Sequence, residues 1–138
     1  MTHFVIIGNG ITGTTCARHI RKRDQNAKIT IISSESRHFY SRTALMYIYM
    51  GHMKYEHTKP YEDWFWDKNR LDLVFDHVES IDKDAKSLKL RSGDALSYDK
   101  LVIATGSKPN KFGWPGQDLR GVQGLYSLQD LGSLEART

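Results

Sequence analysis

The sequence predicts an α/β fold, in which a parallel β-sheet has flanking helices and carries an added antiparallel β-ribbon. Three observations favour this fold. Residues 3–7 form a short apolar run that ends in a glycine-rich turn. A helical pattern over residues 11–24 separates it from a second apolar run at residues 28–32, which is the order of a βαβ unit. Residues 78–90 alternate between apolar and polar positions around turn residues, as half-buried antiparallel strands do.

The turn after the first strand has the G-x-G-x-x-G spacing of a Rossmann-like dinucleotide-binding fingerprint. In such a turn, Gly8 permits the tight bend, Gly10 lets the backbone approach a pyrophosphate, and Gly13 lets the helix pack against the strand. The helix N-terminus adds N–H groups and positive potential for the phosphates. Glu35 follows the second strand, near the spacing of about 20 residues at which an acid accepts hydrogen bonds from ribose hydroxyls. The stretch therefore predicts a dinucleotide site, with NAD and FAD both open.

The other elements of the chain are predicted from spacing and turn residues in the same way. A helix is expected from residue 41 to about residue 50, because Leu45 and Ile48 have helical spacing and Gly51 can end it. Residues 107–138 contain prolines and glycines without periodicity, which indicates an extended connector. Four side chains of the first helix are expected to face the sheet: Ile11, Cys16, Ala17 and Ile20. The other predicted elements are a helix at 60–68, a strand at 71–74, antiparallel strands at 78–82 and 87–90, and a buried strand at 100–104.

Composition limits the partners. The 138 residues suffice for one ordinary domain, and the formal charge of +4 is mildly basic. The basic run at residues 18–23 favours a solvated helix end, with a partner or nucleic-acid contact as the alternative; overall we expect no nucleic-acid partner. Six histidines lack metal-ligand spacing, so no metal site is predicted. One cysteine, no signal peptide and no apolar run near the ~20 residues that span a bilayer predict a cytoplasmic protein without membrane contact.

Three further segments narrow the dinucleotide to FAD by resemblance. Residues 98–109, YDKLVIATGSKP, resemble the second flavin motif of flavoproteins with two dinucleotide-binding domains. Residues 78–82 look like the strand that precedes this motif. Residues 39–51, which begin Phe-Tyr-Ser-Arg, are similar to the segment after the ribose-binding acid in the same proteins. Over essentially the whole chain, the sequence resembles the N-terminal FAD-binding segment of FAD-dependent pyridine nucleotide-disulfide oxidoreductases, in the branch of rubredoxin, ferredoxin and NADH-dependent nitrite reductases.

The resemblance implies a set of cofactor-binding residues and no catalytic residue. The glycine turn would hold the FAD pyrophosphate, and Glu35, with Ser34 beside it, would hold the adenosine ribose. The backbone of Val78 would meet the adenine, Arg42 would contact the cofactor, and residues 104–106 would pass close to the flavin side. The implied cofactor-binding residues are Gly8, Gly10, Ile11, Thr12, Gly13, Ser34, Glu35, Arg42, Val78, Ala104, Thr105 and Gly106. Structural alternatives stay open: a solvated loop acid for Glu35, an exposed helix-start arginine for Arg42, and a plain strand end for residues 104–106.

The resemblance also implies the domain organisation and the activity. Residues 1–106 would be the first segment of the FAD-binding domain, and residues 107–138 a connector toward an absent NAD(P)H domain. We expect the FAD-binding portion of an NAD(P)H-dependent flavin oxidoreductase, inactive alone, that passes electrons from nicotinamide through FAD to a protein or metal-centre acceptor. The C-x-x-x-x-C pair of disulfide reductases is missing, which argues against a disulfide acceptor.

Two other functions remain open at this point. The chain could be a standalone non-catalytic domain that binds an adenine nucleotide, or a subunit that needs a partner chain. It could also be a simple NAD(P)-binding module with Arg37 as a 2′-phosphate contact. Glu35 would repel that phosphate, and the strand that ends in Ala-Thr-Gly and the antiparallel ribbon also argue against this alternative. Apolar side chains around Tyr47 and Met50 would favour self-association if no other segment covers them.

Overall fold

The computed structural model describes residues 1–138, and the chain divides into two compact units. The first unit comprises Met1–Phe39 and Tyr61–Gly106, and the second comprises Tyr40–Pro60 and Ser107–Thr138. The strands are β1 (His3–Ile7), β2 (Lys28–Ser33), β3 (Leu71–Phe75), β4 (Val78–Asp82), β5 (Ser87–Leu90), β6 (Ala95–Ser97) and β7 (Lys100–Ile103). The helices are α1 (Ile11–Arg23), α2 (Leu45–Tyr49), α3 (Trp64–Lys68) and α4 (Leu128–Glu135), with 3-10 turns at Arg42–Ala44 and Tyr55–Thr58.

The first unit is built around a parallel sheet with the strand order β3-β2-β1-β7. A second, antiparallel sheet has the order β4-β5-β6 and an irregular register between Val78 and Ser80. The predicted α/β fold with its added antiparallel strands is therefore confirmed. The short strand β6, which pairs with β5, extends the predicted two-stranded ribbon by one strand.

Alternate residues of β1 bury opposite faces of the parallel sheet. Ile6 belongs to a core cluster with Ala17 of α1 and Trp66 of α3, on the helical face. Val5 belongs to a different cluster with Leu88 and Leu90 of the antiparallel sheet. The strand is apolar without alternation because both of its faces are covered, as is usual in parallel sheets.

The buried stripe of α1 differs from the predicted one. Ala17 is buried and Cys16 and Ile20 pack partly against the core, as expected, but Ile11 is 66% exposed. The reason is geometric: Gly13 faces the sheet, and two residues correspond to a rotation of about 200° around an α-helix. Ile11 therefore lies on the opposite side of the helix from Gly13.

Arg21 shows a second difference between α1 and its prediction, because the basic run at residues 18–23 is not simply a solvated helix end. The Arg21 side chain is only 6% exposed. Its guanidinium donates hydrogen bonds to five backbone carbonyls, those of Asp24, Gln25, Ala27, Asn69 and Arg70. Burial lowers the pKa of Arg21 from its ordinary value, and the carbonyls compensate the desolvated charge.

The second unit has a small core of its own, formed by Tyr40, Leu45 and Leu131. Helix α4 lies in the segment predicted to be an extended connector, and that expectation is wrong for Leu128–Glu135. The helix begins there because Ser127 and Asp130 form a capping box: the Ser127 hydroxyl accepts from the Asp130 N–H at 3.1 Å, and the Asp130 carboxylate accepts from the Ser127 N–H at 2.9 Å.

The predicted helices at 41–50 and 60–68 are shorter than expected. A 3-10 turn leads into α2, and Gly51 (φ +78°) follows its end. Helix α3 begins at Trp64, four residues after Pro60. The exposed apolar side chains of α2 and its C-cap are Met46, Tyr47, Tyr49 and Met50; self-association through them stays a prediction. None of the helices combines the length and the hydrophobicity needed to cross a membrane.

Candidate cofactor site

The glycine turn (residues 8–13) lies at the carboxyl edge of the parallel sheet. The Gly8 N–H donates to the Ile32 carbonyl at 2.7 Å, and the Ala104 N–H donates to the Ile7 carbonyl at 2.8 Å. These bonds join the turn after β1 to the ends of β2 and β7. The glycine turn, the loop after β2 and the segment after β7 therefore meet at one edge, which is where open α/β sheets bind dinucleotides.

Two glycines of this turn are packed against backbone atoms. Gly8 has φ +115°, and a Cβ atom there would overlap the Ala104 carbonyl oxygen and lie 2.7 Å from its carbon. A Cβ atom at Gly13 would overlap the Gly8 carbonyl oxygen and lie 3.3 Å from Ile6 Cγ2. Helix α1 can approach the strand ends this closely only because both positions lack a side chain.

Gly10 has the opposite environment. A Cβ atom built on it meets no atom within 4 Å, and its φ of −95° is one that other residues adopt. It precedes the first turn of α1, whose N–H groups have no intrahelical partner and no side-chain cap. Open space beside a positive helix end is what a pyrophosphate needs. The residues present therefore fit the phosphate portion of a dinucleotide.

A buried polar network, formed by residues outside the predicted set, links the glycine turn to the loop after β2. Asn9 is buried, and its Oδ1 accepts a hydrogen bond from the Thr14 hydroxyl at 2.9 Å. Its Nδ2 donates to the Arg37 carbonyl at 3.2 Å. The network fixes the loop that carries Ser34 and Glu35 relative to the turn. An asparagine between the two glycines is the only sequence signal for it.

The loop residues lie as follows within the first unit. Ser34 is exposed, and its hydroxyl lies 3.5 Å from Nδ1 of His77, immediately before β4. Val78, the first residue of β4, packs partly against the core cluster between the two sheets. Glu35 is half-buried. The structure thus brings the ribose-binding candidates near the strand that carries the adenine-binding candidate.

The last group of candidates follows β7. Ala104 is half-buried, whereas Thr105 and Gly106 are exposed. Ile11 and Thr12, at the start of α1, are exposed as well. All these residues are therefore accessible or partly accessible at the same sheet edge, and their contacts with a cofactor remain predictions.

Arg42 belongs to the second unit. Its Nη1 donates to the carbonyl of Tyr126, and its guanidinium carbon lies 4.4 Å from the centre of the Tyr126 ring. It also lies 5.7 Å from the centre of the Tyr40 ring. These contacts give Arg42 a packing role within its unit that the local sequence does not indicate; its predicted contact with FAD stays a prediction.

The side chains near the turn supply no redox or metal centre of their own. Cys16 is half-buried, and burial raises the pKa of its thiol, which disfavours the reactive thiolate. No group of three or more His, Cys, Asp or Glu side chains is arranged to hold a metal ion. The arrangement can bind and orient a dinucleotide, and the redox chemistry would come from that cofactor.

Fold and glycine turn together define a dinucleotide-binding domain of the oxidoreductase type. The sequence profile of the family described as pyridine nucleotide-disulphide oxidoreductase matches residues 2–137, and the chain belongs to this family. FAD is the cofactor of this family and NAD(P)H its co-substrate. The predicted resemblance is therefore confirmed.

Relatives agree with this assignment. The chain is 34% identical over 134 residues to a probable ferredoxin reductase, CtmF, of Castellaniella defragrans, covering 96% of the chain and 33% of the relative. It is 31% identical to the ferredoxin reductase component of a chlorobenzene dioxygenase from a Cupriavidus species, covering 94% of the chain and 32% of that protein. The crystal structure of the ferredoxin reductase for the CYP199A2 system of Rhodopseudomonas palustris superimposes with a TM-score of 0.87 at 27% identity, over 99% of this chain and 34% of that one. The chain spans about a third of the length of these relatives.

Proposed function

We propose that the chain forms the FAD-binding portion of an NAD(P)H-dependent oxidoreductase that passes electrons from nicotinamide through FAD to a protein or metal-centre acceptor. The observation that carries the proposal is the glycine turn. The backbone is packed tightly at Gly8 and Gly13, while the space at Gly10 stays open beside the N-terminus of α1. This combination supports close approach of a pyrophosphate.

Each part of the chain would contribute binding and orientation. The first turn of α1 would donate N–H groups to the pyrophosphate, and Glu35 would accept hydrogen bonds from the adenosine ribose. Residues 104–106 would run along the flavin side. When bound, FAD would accept a hydride and release electrons one at a time. The chain has one glycine fingerprint, so we expect one dinucleotide site and no NAD(P)H turnover by these 138 residues alone.

A ferredoxin-type acceptor is the best-supported choice. Two similar relatives are described as ferredoxin reductases. Within this chain, Cys16 is the only cysteine, and its raised pKa makes it a poor nucleophile. Both observations favour transfer of electrons to a protein over reduction of a disulfide by this portion of the enzyme.

The test is a cofactor titration of the purified chain. We expect the visible bands of bound flavin and saturation at one equivalent of FAD. FMN serves as the matched control, because it has the flavin but lacks the pyrophosphate-linked adenosine, and it should bind much more weakly. A colourless protein that binds ADP but not FAD would contradict the proposal and favour a non-catalytic adenine-nucleotide domain.

A further inference from the structure

The first unit contains a basic cleft of about 380 Å³ at the C-terminal half of α1. Cationic side chains line it from two elements: Arg18, Arg21 and Lys22 from α1, and Lys68 and Arg70 from the end of α3 and the turn before β3. No carboxylate lines the cleft. Its volume is within the range of small-ligand sites.

The outer cations of the basic cleft have no acidic partner. Arg18 donates to the Tyr61 hydroxyl at 3.0 Å and lies over its ring, and Arg70 donates to the Gln25 side-chain oxygen at 3.2 Å. Neither these two nor Lys22 and Lys68 form an ion pair. Their charges therefore add to a positive potential inside a concave surface, which attracts multiply charged anions.

Arg70 provides a second, independent observation. It has φ +52°, a left-handed conformation that glycine adopts more cheaply than arginine. The buried Arg21 holds this turn, since it donates to the carbonyls of both Asn69 and Arg70 at 2.9 Å. Arg70 thus occupies the left-handed position that follows the C-cap of α3, where glycine is the usual residue, and this turn places a cation at the rim of the cleft.

We propose that the basic cleft binds a small polyanion of the phosphate class, such as a nucleoside phosphate or an inorganic polyphosphate. This site is separate from the cofactor site, because its lining begins at Arg18, about 10 Å along α1 from the glycine turn, and continues to the other end of the helix at about 20 Å. The negative end of the helix dipole does not prevent binding, since the last turn of α1 carries three cations, and the carbonyls of Ile20 and Arg21 accept hydrogen bonds from the Asp24 N–H and the Gln25 side chain. The concave shape favours a small ligand over a flat protein surface.

Isothermal titration of the full chain with sodium tripolyphosphate at low salt tests the proposal. We expect saturable binding at one site, and a loss of about tenfold in affinity for either Lys22→Gln or Arg70→Gly, as one charge-assisted contact is removed. Glycine suits the backbone at position 70, so that variant should fold at least as well as the parent. Lys83→Gln is the matched control, because Lys83 is an exposed cation in the turn between β4 and β5, and its effect should stay below about twofold.

Three results would overturn the proposal. Equal losses in Lys83→Gln and the cleft variants would indicate general electrostatic attraction. Unchanged tripolyphosphate affinity in Lys22→Gln and Arg70→Gly, together with displacement of tripolyphosphate by FAD, would assign the anion to the cofactor site. Binding of polyglutamate without binding of tripolyphosphate would assign the surface to an acidic protein instead.

Discussion

One added methyl group should affect different properties at Gly10 and Gly13. At Gly13 the new Cβ atom would overlap the Gly8 carbonyl oxygen and crowd Ile6, so α1 would have to move away from β1. At Gly10 the same atom would meet nothing within 4 Å in the protein. We therefore expect Gly13→Ala to lower stability and Gly10→Ala to lower affinity for FAD.

The magnitudes follow from the two environments. For Gly13→Ala, an overlap with rigid backbone belongs at the upper end of overpacking costs, about 3 kcal/mol, and the better helix propensity of alanine returns about 1 kcal/mol. The free energy of unfolding should fall by about 2 kcal/mol. For Gly10→Ala, alanine is a poorer N-cap than glycine and destabilises the helix, but it also lowers the entropy of the unfolded chain and so stabilises the fold. Each effect is about 0.5–1 kcal/mol, so the free energy of unfolding should change little. If a phosphate occupies the open space, the methyl group should weaken FAD binding about 10- to 100-fold, or about 1.4–2.8 kcal/mol.

Two assays separate these effects. Urea unfolding followed by circular dichroism gives the stability of each variant, and quenching of flavin fluorescence gives the FAD affinity. Unchanged FAD affinity in Gly10→Ala would refute the approach of the pyrophosphate to this position. Unchanged stability in Gly13→Ala would refute the close packing of α1 on the strand ends.

Three other predictions concern side chains. Glu35→Gln should weaken binding of FAD and ADP by about 1–3 kcal/mol while leaving FMN binding unchanged, because the acid would bond the adenosine ribose; an equal effect on FMN would contradict this role. Arg21→Met should lower the free energy of unfolding in urea by about 3 kcal/mol or more, since buried carbonyls lose their donor, whereas exposed Arg23→Met should change it by less than about 0.5 kcal/mol. A hydrogen bond from the Ser127 N–H lowers the pKa of Asp130 from its ordinary value of 3.8. The charged Asp130 therefore contributes fully to the stability of the folded chain above pH 3.8, and this contribution is lost as the pH falls through the lower folded pKa. Asp130→Asn should remove this acid dependence from the helical circular dichroism signal of α4.

The parallel sheet could be predicted from sequence because its signals are local. The apolar runs of β1 and β2 and the glycine spacing between them specify strand, turn and helix without knowledge of distant residues. The same holds for Gly8 and Gly13, whose missing side chains are visible in the sequence. Helix α4 differs from the prediction although its capping pair, Ser127 and Asp130, is also local. The glycines and prolines before it indicate a connector, and they mask the short helical signal at the end of residues 107–138.

Other features could not be predicted because they depend on contacts distant in sequence. Arg21 reaches carbonyls at positions 69 and 70, and a helical pattern alone places a cation on the solvent side. Arg42 likewise contacts Tyr126, far along the chain. In both cases a planar guanidinium donates to backbone carbonyls of another segment, and only the tertiary structure shows which carbonyls are available.

The candidate cofactor site is made mainly of backbone, so its residues should affect the binding of FAD and not the reactions of bound FAD. Gly8, Gly10 and Gly13 act by the side chains they lack, and Asn9 acts by fixing the neighbouring loop. None of these groups can accept a hydride or an electron, so changes at this site should alter how much FAD is retained rather than how fast each bound FAD reacts. The choice of acceptor would then depend on surfaces outside the glycine turn, because the turn would recognise the pyrophosphate, a group that every FAD molecule contains.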